Sequence, residues 1–376
     1  AGAAPGSPEQ ILYLIRDKVK LEEQAAKSSI VEVPEGESTY KIGIIDVPSF
    51  YQDYAARARG DENYTSTTRD VERLISDLKE DGIDGLIVDL RQNGGGHLSE
   101  ATELSGLFID QGPVVQLRET RGNIQVLDDP SPNAAYDGPL AVLVDRYSAS
   151  ASEIFAAAIQ DYNRGIVIGQ QTFGKGSVQN LFNLDRFMPG TGYGQLTLTI
   201  GKYYRVTGES TQHRGVMPDI SLPSMVDTSM VGESTRDTAL PWDRIQDTPF
   251  RVDTNLDPQI NILQNRHSER AILDPNYNHL VGDIEAVEIL RDRDEVSLNI
   301  EVRTAEREEL EAQQLARENE RRSALGLEPF ETTEELDTNE PADVLLDQAT
   351  QVVVDMASIS DPTALPITGS ETALYH

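Results

Sequence analysis

The sequence contains no cysteine. That excludes disulfides, thiolate metal sites and a cysteine nucleophile, but it does not fix a compartment, because an exported protein can also do without cysteine. Basic residues are scarce: 32 Lys+Arg stand against 64 Asp+Glu, a formal net charge of −32. Nucleic-acid binding needs a basic stripe that displaces counterions from phosphates, and this chain has none, so no nucleic-acid partner is expected. No run approaches the ~20 apolar residues of a membrane span. The histidines, His97, His213, His267, His279 and His376, are scattered singly, and no metal site is expected from them. Ala1 brings neither an initiator methionine nor an apolar signal core, which reads as a processed, trimmed or partial chain. Internal repeats and sustained heptads are also lacking.

What is present is length enough for two or three domains in 376 residues. The acid is unevenly spread: residues 1–220 carry about −11 and residues 221–376 about −21, together the −32 of the chain. Residues 1–9 read as a disordered lead-in, and Gln10–Leu21 partly alternates, as one or two strands do. Val71, Leu74, Ile75 and Leu78 have helical spacing within 66–80. Short apolar runs at 85–90, 140–144 and 165–169 read as buried strands, with a helix over 153–161 between the last two. Strands alternating with helices imply a parallel or mixed sheet covered by helices, an α/β core. Residues 223–260 read as a long surface connection. Helices are expected over 279–290, 304–325 and 342–357, with an acidic linker at 328–345 and a weakly structured tail over 358–376.

Three segments sit just past apolar strands, where ligands collect in open α/β sheets: Asp89–Gly96 (DLRQNGGG), Ser148–Glu153 (SASASE) and Thr172–Gln179 (TFGKGSVQ). A serine in the second can present its hydroxyl at a helix N-terminus, where backbone N–H groups favour an oxyanion. Ser150 and Glu153 also fit an ordinary capping box, so both readings stand. The glycine triplet is either a flexible turn or a backbone N–H brought close to a reacting carbonyl. His97 beside it reads as a surface residue. Gly169 to Lys175 fits G-x-x-x-x-G-K, but Gly176 stands where a P-loop needs Ser/Thr, and Gly176–Leu181 reads as extended rather than helical. Lysine remains as a base for serine. An ordinary lysine, with a pKa of ~10.4, would need lowering by roughly three units, about 4 kcal/mol, which burial in an apolar site supplies. Phe173, Val178 and Leu181 flank Lys175, and Gln179 is placed to bond its amine.

At these residues the chain resembles the carboxyl-terminal processing (tail-specific) proteases, serine peptidases with a Ser/Lys pair. The resemblance runs through YLIRDKVKLE, IGIIDVPSFY, GLIVDLRQNGGG, GPLAVLVDRYSASASEIFAAAIQD, TFGKGSVQ and KYYRVTGESTQHRGVMPDI. Residues 223–325, including ALPWDRI, resemble the helical extension of the large periplasmic tail-specific subfamily. The resemblance implies a crotonase-like (ββα) core over 34–222, then a 223–260 linker and a helical acidic region over 261–376. It implies Ser150 as nucleophile, Lys175 as general base, Gln179 as the residue orienting it, and Gly96 and Ala151 as oxyanion donors, with Gly95 beside them. No cofactor or metal is implied. The partners implied are protein substrates with apolar, flexible C-termini, and the compartment the bacterial periplasm, with room for an adaptor protein and for membrane association without a span. Asp161 matches an acidic position of the family, but lies about 16 Å along a helix from Ser150, so a structural role is expected. Of the family's substrate-binding PDZ domain, only the last strand is resembled, by Gln10–Leu21, and residues 10–33 are that remnant with its connection to the core. A non-catalytic or partner-activated binding module of the same fold is the alternative reading.

Overall fold

Leu86, Ile87 and Val88, like every residue from Leu140 to Val144, are apolar at successive positions, and a strand with that pattern must be covered on both faces. In the computed structural model they lie side by side at the centre of a sheet. The structure describes residues 25–360 apart from 62, 130–132, 188–189, 191, 253–254 and 339–341. The expected lead-in and the segment Gln10–Leu21 lie outside the described residues, as does the tail beyond 360.

In chain order, β1 (Lys27–Glu35) and β2 (Ser38–Asp46) form a hairpin, followed by α1 (Tyr54–Ala58), α2 (Thr67–Glu80) and β3 (Gly85–Asp89). Next come α3 (Leu98–Ser105), β4 (Gly112–Glu119), β5 (Ile124–Asp129), β6 (Leu140–Val144), α4 (Ala151–Asp161) and β7 (Ile166–Gly169). β8 (Ser177–Asn183), β9 (Gln195–Tyr204) and β10 (Ile220–Ser221) precede four helices: α5 (Asp257–Ala271), α6 (Pro275–Arg291), α7 (Ile300–Ala324) and α8 (Val344–Ser360). One sheet has the order β1-β2-β3-β6-β7-β10, parallel throughout except for the β1–β2 pair. A second, antiparallel sheet has the order β5-β4-β9-β8.

Side chains alternate between two cores. Leu86, Val88, Leu140, Val142 and Val144 face α2, α3 and α4, while Ile87, Ala141 and Leu143 face Ala349, Val352, Val353 and Met356 of α8 and Leu263 of α5. The partition expected at 222/223 therefore does not divide the core, because the last described helix covers one face of the sheet. Nor is 223–260 only a surface strap. Arg146 is a buried cation that donates to Val231 O at 2.7 Å and Thr228 O at 3.4 Å, with Gly232 packed against it. α5 starts inside that stretch, its Pro258 in the first turn. Its few buried residues, Leu263, His267 and Ala271, gave no strong helical signal.

The junction of β3 with α8 makes a direct test. A Cβ on Gly85 would lie 2.4 Å from Val353 Cγ1. Gly85→Ala is expected to destabilise by about 1–3 kcal/mol through overpacking, and adding Val353→Ala should recover much of that loss. Urea denaturation of the four members of this cycle measures the coupling.

Candidate active site

The loops after β3 and β6 are joined by one carboxylate. Asp145 accepts the N–H of Gln92 at 3.1 Å, of Tyr147 at 2.9 Å and of Ser148 at 3.0 Å. Two of the three neighbouring serines are consumed by this framework. Ser148 Oγ donates to Leu90 O at 2.8 Å and Ser152 Oγ to Asn93 O at 2.9 Å, both side chains being buried. Ser150 is only partly buried, and it caps α4 with φ +58° and ψ −109°, a conformation that a residue with a Cβ rarely adopts.

The glycine turn faces this elbow. A Cβ on Gly95 would lie 2.9 Å from the Ser150 Cβ and 3.0 Å from Ala151 N, and one on Gly96 would lie 2.1 Å from Phe50 O. Close approach is thus what requires glycine here. Asn93 holds the turn, donating to Val47 O at 2.7 Å and accepting Gly95 N–H at 2.8 Å. Gly95 N–H is therefore already committed. Among the described residues, the N–H groups of Gly96 and Ala151 bond to no other part of the chain, so they are the donors left for a ligand oxygen.

Lys175 reaches the same place through Glu153. This side chain, on the first turn of α4, is completely buried and takes four hydrogen bonds. Its Oε2 accepts Ser150 N–H at 2.8 Å and Lys175 N–H at 2.9 Å, and its Oε1 accepts Gly174 N–H at 2.7 Å and the Thr172 hydroxyl at 2.6 Å. Burial pushes the carboxyl up to about 7 against the downward pull of these donors. A second bridge is the Tyr203 hydroxyl, 2.5 Å from Lys175 O and 3.1 Å from Ser150 O. Gln212 Oε1 accepts Gly176 N–H at 2.8 Å, and Phe173 N–H donates to Ser148 O at 3.0 Å. The lysine loop is thus tied to the serine elbow along its whole length.

The Lys175 amine lies 3.4 Å from Gln179 Oε1. Its expected apolar enclosure is incomplete. Lys175 is half-buried and Val178 packs on the core, but Leu181 is 55% exposed. After Gly176 the chain is strand β8 rather than a helix, which removes the P-loop reading. His97 is the N-cap of α3, its ring edge-on to Tyr54 at 4.7 Å. Asp161 ends α4 and forms an ion pair with Arg205 at 2.6 Å, just beyond β9. Burial raises its carboxyl, with Arg205 opposing. The sequence pattern showed Glu153 only as a cap, although a carboxylate inside the apolar stretch ASEIFAAAI was a signal that something polar is buried there.

Fold and site together define a class: an α/β core with a serine on a strained strand-to-helix elbow, a lysine loop bonded to it, and two open backbone donors beside it. Residues 41–222 match peptidase family S41, and residues 226–358 match the C-terminal domain of tail specific protease. The chain belongs to the tail-specific, C-terminal-processing branch of that peptidase family. It is 40% identical to the tail-specific protease of Haemophilus influenzae over 362 residues, 94% of this chain and 49% of that protein. It is 34% identical over 220 residues to the chloroplastic carboxyl-terminal-processing peptidase 2 of Arabidopsis thaliana, 58% of this chain and 39% of that one. The chain thus spans about half the length of the Haemophilus relative. A solved structure, the photosystem II D1 C-terminal processing protease, aligns with a TM-score of 0.43 and 25% identity over 55% of this chain and 50% of its own. Among the described residues, no helix is long and apolar enough to cross a membrane.

Proposed function

We propose that this chain is a serine endopeptidase acting through a Ser150/Lys175 dyad and an acyl-enzyme. Lys175, neutral, takes the Ser150 proton as Oγ attacks the substrate carbonyl. The Gly96 and Ala151 N–H groups hold the oxyanion, and Lys175 returns the proton to the leaving amine. Water then repeats the sequence on the ester. Gln179 orients the amine. The observation that carries this reading is the convergence of Ser150 N–H and Lys175 N–H on one Glu153 oxygen, beside the two uncommitted donors. By family, the substrates are proteins with apolar, flexible C-termini in the bacterial cell envelope, delivered directly or by an adaptor.

A fluorophosphonate probe tests whether the site is assembled. It should label the chain once, and the label should be lost in Ser150→Ala while Ser148→Ala and Ser152→Ala keep theirs when folded. Equal labelling of Ser150→Ala would sink the assignment. An unlabelled but folded wild type would favour a dormant binding module.

A further inference from the structure

β8 is the terminal strand of the antiparallel sheet, so among the described residues no strand lies along its outer edge. It leaves the catalytic loop directly: Lys175 lies two residues before it, and Gln179, which meets the Lys175 amine, is part of it. Proteins ordinarily protect such an edge with proline, charge or a covering element. Ser177–Asn183 reads SVQNLFN, with neither proline nor charge, and Gln179, Asn180 and Leu181 are exposed.

One hydrogen bond shows which backbone groups face outward. Leu181 N–H donates at 2.8 Å to Oδ1 of the adjacent Asn180. An N–H committed to that side chain is outside the β8–β9 ladder, so the backbone groups of Leu181 point away from β9. By the two-residue period of a strand, those of Gln179 do too. The Asn180 oxygen occupies the place where the carbonyl of an added strand would sit.

We infer that this edge takes the polypeptide substrate by strand addition. Leu181 N–H and C=O pair with a substrate residue as the Asn180 side chain swings aside, and the Leu181 side chain meets an apolar substrate residue on the face it shares with Gln179. The inference rests on the hydrolase reading, because the substrate is named as occupant on the ground that the edge runs straight out of the Ser150/Lys175 site. A strand laid there also covers the half-exposed Lys175 amine and excludes water from it, completing the enclosure that the free protein lacks.

Binding separates this inference from catalysis. Fluorophore-labelled casein, an unfolded polypeptide, is titrated into the Ser150→Ala chain by anisotropy. Leu181→Pro deletes the outward N–H without removing a β9 bond, as proline is tolerated on an edge strand. It is expected to raise Kd about ten-fold or more. Leu181→Ala keeps the donor and should raise Kd only about three-fold, whereas Asn180→Ala, which uncovers the donor, should lower it. Independently of any variant's folding, casein-derived peptides N-methylated at every second residue should lose binding in one phase and keep it in the other. No casein binding, an unchanged Kd in folded Leu181→Pro, or a methylation effect without the two-residue period would overturn the inference. Binding that follows this pattern in a wild type unable to hydrolyse casein would count against the proposed hydrolysis and leave the edge assignment standing.

Discussion

Ser150→Ala and Lys175→Met are each expected to lower kcat/KM for an unfolded protein substrate by about 10³-fold or more, and the double variant should be hardly worse than either. In the proposed mechanism the two groups act in one proton transfer, so removing one would leave the other idle. Ser150→Ala removes the proposed nucleophile and leaves no substitute beside it, since Ser148 and Ser152 spend their hydroxyls on Leu90 O and Asn93 O. Lys175→Met keeps the length and apolar stem and deletes the amine. Lys175→Arg should fail equally, because a guanidinium cannot act as a base near neutral pH. Full activity in any of these variants would dispose of the dyad. Hydrolysis of a fluorescent casein, together with urea denaturation to confirm folding, decides it.

Glu153→Ala is expected to be damaging in a different way, by loosening the serine and lysine loops at once. Four donors would be left buried without an acceptor, each worth about 1–3 kcal/mol when unsatisfied. These losses overlap, so the net destabilisation should be about 3 kcal/mol or more. Glu153→Gln is the sharper probe. Its single amide oxygen can serve only one side of the site, and its NH₂ would face two donors, so kcat should fall by roughly 10–100-fold with a smaller stability loss.

The pH dependence of this group runs in two directions. Its carboxyl is raised to about 7 in the fold by burial, from an ordinary 4.5. A raised group lends stability that is fully present below about 4.5 and is lost as pH climbs through about 7, roughly 3 kcal/mol at 1.36 kcal/mol per unit. The stability advantage of wild type over Glu153→Gln should therefore widen as pH falls through that window. Activity should move the opposite way, because only the ionised carboxylate accepts from all four donors. Hydrolysis should fall below a midpoint of about 7, and Glu153→Gln should lose that limb. Parallel denaturation and pH–rate series would check both, and an unaltered limb in Glu153→Gln would remove Glu153 from the profile.

Legibility in the sequence followed the reach of each interaction. The buried strands β3, β6 and β7 and helices α2 and α4 were readable to within a residue or two, because an apolar run or a 3.6-residue period reports burial locally. The strands of the second sheet were mostly not read. β5, β8 and much of β9 are open to solvent and mix Thr, Gln and Asn with leucine, so neither a continuous run nor a clean alternation marks them. α8 announced an apolar face, yet its packing on Ile87 and Ala141 was invisible, since amphipathicity says that a partner exists without saying which. Glu153 shows the same limit within the site. Its bond to Ser150 spans three residues and was legible as a cap, whereas its bonds to Thr172, Gly174 and Lys175 span 19 to 22.

The sequence by itself determined that cysteine chemistry is absent and that the centre is a helix-covered α/β sheet, both of which rest on local composition and period, and its resemblance to the tail-specific proteases picked out which serine, lysine and glycines to consider together. Only the tertiary structure decided that Gly96 rather than Gly95 keeps an uncommitted N–H, that Ser150 rather than its neighbours sits on the strained elbow, and that one buried carboxylate ties the serine to the lysine loop. It also decided that Lys175 stands beside an open strand edge instead of inside an apolar pocket. Those features depend on which hydrogen-bonding groups meet across loops distant in the chain, and side-chain order along a sequence does not encode the partner a buried donor finds.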